Sequence, residues 1–157
     1  MSARGVFIVS AALASSALVF AARGGAQESE PGERIMNASC QGCHTVRVIQ
    51  TQAMDAAAWT KSVATMVEKG AKVSKEDMPV LVAYLAEHHG PVPDGPGKAI
   101  LLNICTMCHD LGRIRLGRRS SDEWEETLVS MLNEGAPLSE EAFPVIHAYL
   151  SEHFGIE

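Results

Sequence analysis

Residues 31–90 of this chain align on residues 96–155 without a gap, a shift of 65 (96 − 31), and 21 of the 60 positions are identical. The chain therefore reads as a duplicated unit, and a fold that suits one half must suit the other. Pro31-Gly32 falls on Pro96-Gly97, Trp59 on Trp124, Met66 on Met131 and Gly70-Ala71 on Gly135-Ala136. Pro79-Val80 falls on Pro144-Val145, and Ala83-Tyr84-Leu85 on Ala148-Tyr149-Leu150. Between the copies, Gly90-Pro91-Val92-Pro93-Asp94-Gly95 has the proline and glycine content of a linker. The expected organisation is a first domain over 27–90, a linker at 91–95 and a second domain over 96–157.

Each unit predicts helices. Residues 32–39 and 98–102 suit a short helix leading into the next motif. Trp59, Val63, Met66 and Val67 are spaced i, i+4, i+7 and i+8, which places them on one apolar stripe, and Trp124, Leu128, Met131 and Leu132 repeat it. Gly70 and Gly135 stand where that helix should stop. Ser74 and Ser139 have the position of N-caps for a closing helix that runs to His88 and His153 and is ended by Gly90 and Gly155. No segment alternates with period two, and the stretch between each histidine and tryptophan shows no period and is expected to be loop. The fold class is all-α.

The chain has four cysteines, all in two strings placed 65 residues apart: Cys40-Gln41-Gly42-Cys43-His44 and Cys105-Thr106-Met107-Cys108-His109. A disulfide framework has no use for a histidine after each pair. A thioredoxin-like redox pair calls for a βαβ context, which the pattern lacks. A zinc site needs a second pair of ligands near each string. The C-x-x-C-H string is the attachment signal of c-type haem. Two thiols three residues apart can each bond one vinyl group, and the following imidazole can reach the iron. Two covalent haems also account for how units of about 60 residues, short of aromatics, could fill a core.

The N-terminus has the layout of a secretory signal peptide over 1–26: a basic lead ending in Arg4, an uncharged stretch from Gly5 to Ala22, and small residues up to Ala26. An uncleaved membrane anchor is the alternative. In either case the remainder is exported, with the periplasm as the expected compartment. Residues 27–157 carry 11 basic and 19 acidic side chains, a net −8, which disfavours nucleic acid and anionic lipid as partners. The charge is uneven: 27–91 has 6 basic and 8 acidic residues (−2), and 92–157 has 5 and 11 (−6), as if two ends met different partners.

With both C-x-x-C-H strings, the Trp–Met–Gly-Ala series and the closing Tyr-Leu in place, the chain resembles a pair of tandem class I cytochrome c domains over 31–157. The order is similar to that of small c-type modules that accompany periplasmic dehydrogenases, such as the cytochrome subunit of sulfite dehydrogenase and the dihaem part of quinohaemoprotein amine dehydrogenase. The resemblance implies attachment through Cys40, Cys43, Cys105 and Cys108, with His44 and His109 on the irons. It further implies an axial methionine upstream of the closing helix, for which Met66 and Met131, the only methionines present in both copies, are the candidates. Val67 and Leu132 follow them where many relatives have proline. Met66 and Met131 also suit a plain core stripe, and His88 and His153, likewise duplicated, are the rival iron ligands.

Trp59 and Trp124 are candidates to pack on a haem edge, to donate to a propionate, or simply to fill the core. Arg113, Arg115, Arg118 and Arg119 cluster after the second string, and Arg47 stands after the first. They suit a solvated loop, propionate pairing or a docking patch. Asp122, Glu123, Glu125 and Glu126 suit the water-facing start of a helix. His147 and His89, unmatched between copies, read as packing or surface residues. No nucleophile or acid–base constellation stands out. The resemblance thus implies an electron carrier rather than an enzyme, receiving electrons from a dehydrogenase and passing them to a cytochrome or oxidase. A dihaem peroxidase or a haem-based sensor is the alternative.

Overall fold

Proline is tolerated at the start of a helix, where its missing N–H would have no partner. Pro31 opens α1 (Pro31–Ser39) in this way in the computed structural model of the protein, which describes residues 29–156. The signal-peptide expectation for 1–26 lies outside the described residues. After α1 come α2 (Arg47–Gln50), α3 (Ala56–Glu68) and α4 (Asp77–His88). Then follow α5 (Lys98–Asn103), a 3-10 turn at Cys105–Met107, α6 (Gly112–Leu116), α7 (Ser121–Asn133) and α8 (Ala142–Phe154). Among the described residues the only β feature is an isolated parallel bridge between Arg119 and Gly155, so the fold is all-α. No helix among them is long and apolar enough to cross a membrane.

Local chemistry sets the ends of the long helices. Asp55 caps α3 by accepting from the Ala58 amide at 2.8 Å. Ser120 and Glu123 close a reciprocal box at the start of α7, each side chain accepting from the other's backbone N–H. Those bonds hold the Glu123 carboxyl below its ordinary range. At the other end, Gly70 and Gly135 take φ of +106° and +93°, a left-handed conformation that costs other residues. Gly70 donates to the Val67 carbonyl and Ala71 to the Met66 carbonyl, both at 2.9 Å; Gly135 and Ala136 do the same to Leu132 and Met131. This pattern closes a helix by satisfying its last carbonyls. Ser74 and Ser139 accept from the amides of Asp77 and Ala142, but the first residues after each serine form a turn, so α4 and α8 begin three residues later.

The region expected to be loop between histidine and tryptophan contains α2 and α6 instead. Each is about one turn long, too short for a 3.6-residue period to show, and each buries one isoleucine, Ile49 or Ile114. The identity of these two residues across the copies was the available signal.

The helices cross at small residues. α1 packs on α4 and α5 on α8, while α3 lies along α4 and α7 along α8. A Cβ on Gly32 would stand 2.1 Å from the Tyr84 Cβ, and one on Gly97 2.3 Å from the Tyr149 Cβ, so only glycine admits these crossings. One buried cluster gathers Met36, Ile49, Trp59, Val63, Leu81, Val82 and Leu85. A second gathers residues between Val92 and Phe154, including Leu101, Ile114, Trp124, Leu128, Ile146 and Leu150. Six members of the first cluster thus have their 65-shift counterparts in the second.

The two stretches also touch. Arg47 donates to the Met107 carbonyl at 2.7 Å, Leu111 donates to the Gln50 carbonyl at 3.4 Å, and the Arg115 guanidinium donates to the Gly90 carbonyl.

Candidate functional site

Each C-x-x-C-H string begins where a helix lets go. Cys40 is the C-cap of α1, its amide donating to the Met36 carbonyl at 2.9 Å, and residues 41–44 turn away. Cys105 follows Ile104, the C-cap of α5, and starts the 3-10 turn. The thiols therefore sit on tight turns at helix ends, not along a helix. All four cysteines are free, with Cys43 and Cys108 exposed and Cys40 and Cys105 half-buried. Burial pushes the Cys40 and Cys105 thiols up. An oxidoreductase cysteine needs the opposite, a thiol lowered by a nearby cation or helix N-terminus.

In the first copy, Cys40, Cys43 and His44 line a cavity of about 780 Å³ together with Trp59, Val63 and Met66 of α3, the 69–73 turn, and Leu85 of α4. In the second, Cys105, Cys108 and His109 line a cavity of about 280 Å³ with Trp124, Leu128 and Met131 of α7, the 136–138 turn, and Ile146 and Leu150 of α8. The walls of both are mainly apolar, and both open to solvent. These clefts leave apolar side chains beside each core cluster open to solvent.

The imidazoles are held in a way that suits ligation. Nδ1 of His44 lies 3.2 Å from the Thr45 carbonyl, and Nδ1 of His109 2.9 Å from the Asp110 carbonyl. With Nδ1–H donated to backbone, Nε2 keeps its lone pair for a metal, and such a second partner fixes tautomer and orientation. The donor set at each cavity is thus two thiols, one imidazole and one thioether. That set and the apolar walls fit a covalently held haem.

The rival histidines lie elsewhere. His88 pairs with Glu30 at 3.0 Å and rests on the Tyr84 ring, with centroids 4.4 Å apart. His153 stands edge-on to the Tyr149 ring at 4.6 Å. Neither lines either of the two cavities described above. His147 bonds to Ser121, and His89 uses its carbonyl as the acceptor described next. Among the described residues no group of three or more His, Cys, Asp or Glu is placed to hold a metal ion.

Each tryptophan is 2 % exposed and forms part of a cavity wall. Their N–H groups are already used: Trp59 Nε1 donates to the His89 carbonyl at 3.2 Å, and Trp124 Nε1 to the Phe154 carbonyl at 3.3 Å. The propionate bond considered for these residues is therefore corrected, because a single indole donor is spent at the end of the closing helix. Met54 and Arg119, equivalent under the shift, donate their backbone amides to the same two carbonyls.

The arginine cluster divides by role. Arg118 is exposed; Arg113 and Arg119 line the second cavity. The Arg119 guanidinium lies 4.9 Å over the Trp124 ring and donates to the Gly117 carbonyl at 2.9 Å. Arg115 is half-buried, and burial lowers its pKa. The first copy has Val48 and Met54 where the second has Arg113 and Arg119, and its cavity rim carries Lys69 and Lys72 where the second has Glu134 and Pro137. The sequence reading missed these rim residues; their signal was the difference between copies, not the identity.

Comparison with protein-family models, with curated proteins and with solved structures returns no match.

Proposed function

We propose that the chain is an exported dihaem c-type cytochrome made of two duplicated cytochrome c-like helical domains, and that it carries electrons between redox proteins. One observation supports this reading above the others. In both copies the two thiols and imidazole of C-x-x-C-H share one apolar cavity with the repeated methionine.

In this reading Cys40 and Cys43 would hold the first haem through thioether bonds, and Cys105 and Cys108 the second. His44 with Met66, and His109 with Met131, would hold the two irons. When bound, haem c supplies a one-electron couple, and methionine with histidine as axial ligands favours a high potential. The chain's own contribution is position and environment. The Thr45 and Asp110 carbonyls orient the imidazoles, the helix-ending turns at Gly70 and Gly135 fix the methionines, and Trp59, Val63, Trp124 and Leu128 exclude water. If histidine and methionine both held each iron, small molecules would find no open place to react, which would favour a carrier over a peroxidase or sensor. The donor in this reading is a periplasmic dehydrogenase and the acceptor a cytochrome or oxidase.

The test is attachment. Protein exported through a c-type maturation system should show two covalent haems and no free thiols by intact mass spectrometry. Cys40→Ala with Cys43→Ala should lose one haem and keep the other. Fewer than two haems on the wild-type chain would sink the reading, and carbon monoxide binding to the reduced protein would favour the enzyme or sensor.

A further inference from the structure

We propose that Arg47 is a positioning residue for direct electron exchange between the two sites, clamping the wall of the first cavity to the second C-x-x-C-H string. The inference rests on the dihaem reading. Arg47 opens α2, whose next residues, Val48 and Ile49, line the first cavity. Its Nη2 donates to the Met107 carbonyl at 2.7 Å and lies 3.5 Å from the Thr106 carbonyl. Thr106 and Met107 are the two residues between Cys105 and Cys108. The Arg47 guanidinium thus reaches inside the second attachment string while its own helix walls the first cavity.

The carbonyls it takes suit a cation. They lie at the end of a 3-10 turn, where backbone oxygens have no partner within the helix. A guanidinium can serve both with charge-assisted bonds. Two further bonds brace the same contact: Leu111 donates to the Gln50 carbonyl at 3.4 Å, and Arg115 donates to the Gly90 carbonyl. Ala53 packs against the second core. The clamp is specific to one copy. Under the 65-residue shift Arg47 falls on Gly112, which has no side chain to reach back, and Met107 falls on Gly42, where an added Cβ would meet nothing within 4 Å. The duplicated pattern alone would not supply this contact.

In the step concerned, one electron leaves the reduced site and arrives at the oxidised one. One site is oxidised as the other is reduced, and no bond forms or breaks. The rate of such a step falls steeply with separation, so a bond that fixes the separation governs it.

The experiment uses the mature dihaem protein as wild type, Arg47→Ala and Arg47→Lys. Intact mass reports haem content, amide hydrogen exchange reports the Leu111–Gln50 bond, and NMR exchange spectroscopy on half-reduced protein reports the intramolecular electron-exchange rate. Arg47→Ala should lower Leu111 protection about tenfold, the factor associated with one charge-assisted hydrogen bond. The electron-exchange rate should fall with it, and Arg47→Lys, which keeps a cationic donor, should restore part of both. An unchanged rate or an unchanged Leu111 protection in Arg47→Ala, with two haems bound, would overturn this inference alone. Fewer than two haems on wild-type protein would overturn it together with the proposed function.

Discussion

The Ala71 amide donates to the Met66 carbonyl at 2.9 Å, across the glycine that ends α3. Met66 is therefore the last residue but two of its helix, with its backbone fixed from both sides and its side chain among the lining of the first cavity. Replacing Gly70 by Ala forces a Cβ into the left-handed region, at a cost of about 1 kcal/mol. Gly70→Ala should lower the unfolding midpoint in denaturant and, in the dihaem protein proposed above, weaken the expected Met66 ligation at the first site while leaving the second unchanged. Separate spectra of the two sites, obtained from single-haem variants, check this.

The two methionines should be spectroscopically equivalent. If the proposed reading holds, the oxidised protein should show the weak near-infrared sulfur-to-iron band, and Met66→Ala should remove about half of it, as one of two proposed thioether ligands would be lost. His88→Ala should leave the band in place, because that side chain bonds Glu30 and is not in the lining of the first cavity. A spectrum altered by His88→Ala and unaffected by Met66→Ala would reverse the assignment.

Gly97→Ala tests the helix crossing. The new Cβ would meet the Tyr149 Cβ at 2.3 Å, and neither atom can rotate away. Overpacking of this kind costs about 1–3 kcal/mol, so the thermal midpoint should fall clearly below that of wild type in calorimetry. Gly42→Ala, with nothing within 4 Å of the added carbon, is the control and should leave the midpoint in place.

Acid should weaken the contact around His89. Burial lowers its pKa first, then the positive charges of Arg115 and His88, with Asp110 opposing. The folded state therefore binds fewer protons at His89 than the unfolded chain does. Stability from this group is fully present above the unfolded-state value of about 6.5 and is lost as pH falls below it. His89→Phe, which copies the equivalent Phe154, should flatten the slope of unfolding free energy between pH 7 and pH 5. An unchanged slope would show that other groups carry it.

Partner binding should differ between the ends. Residues 27–91 carry −2 and residues 92–157 carry −6. Association with a basic partner through the second half should slow more steeply with salt than association through the first, because screening removes the stronger field. Stopped-flow rates for charge reversals at Lys72 and at Glu134 measure this, and equal salt slopes would count against two docking ends.

The sequence by itself determined the features that rest on near neighbours or on self-comparison. The duplicated pattern, both C-x-x-C-H strings and the glycine stops after α3 and α7 all involve bonds spanning five residues or fewer, or identities read directly from the shift, whereas Ser74 and Ser139 precede a turn and the caps of α4 and α8 fall on Glu76 and Glu141. Short helices such as α2 and α6 escaped because one turn cannot display a period. Tertiary structure alone decided which repeated residue shares a cavity with each string. Met66 and His88 are both duplicated, and only packing of α3 beside the C-x-x-C-H turn brings the thioether there while Glu30 holds the imidazole away. It also decided where the indole N–H groups go, since their acceptors lie 30 residues along the chain. The same holds for Arg47, whose acceptor is 60 residues distant and lies in the other copy. Such partners are set by how whole helices cross, and a crossing depends on surfaces that no single stretch of sequence contains.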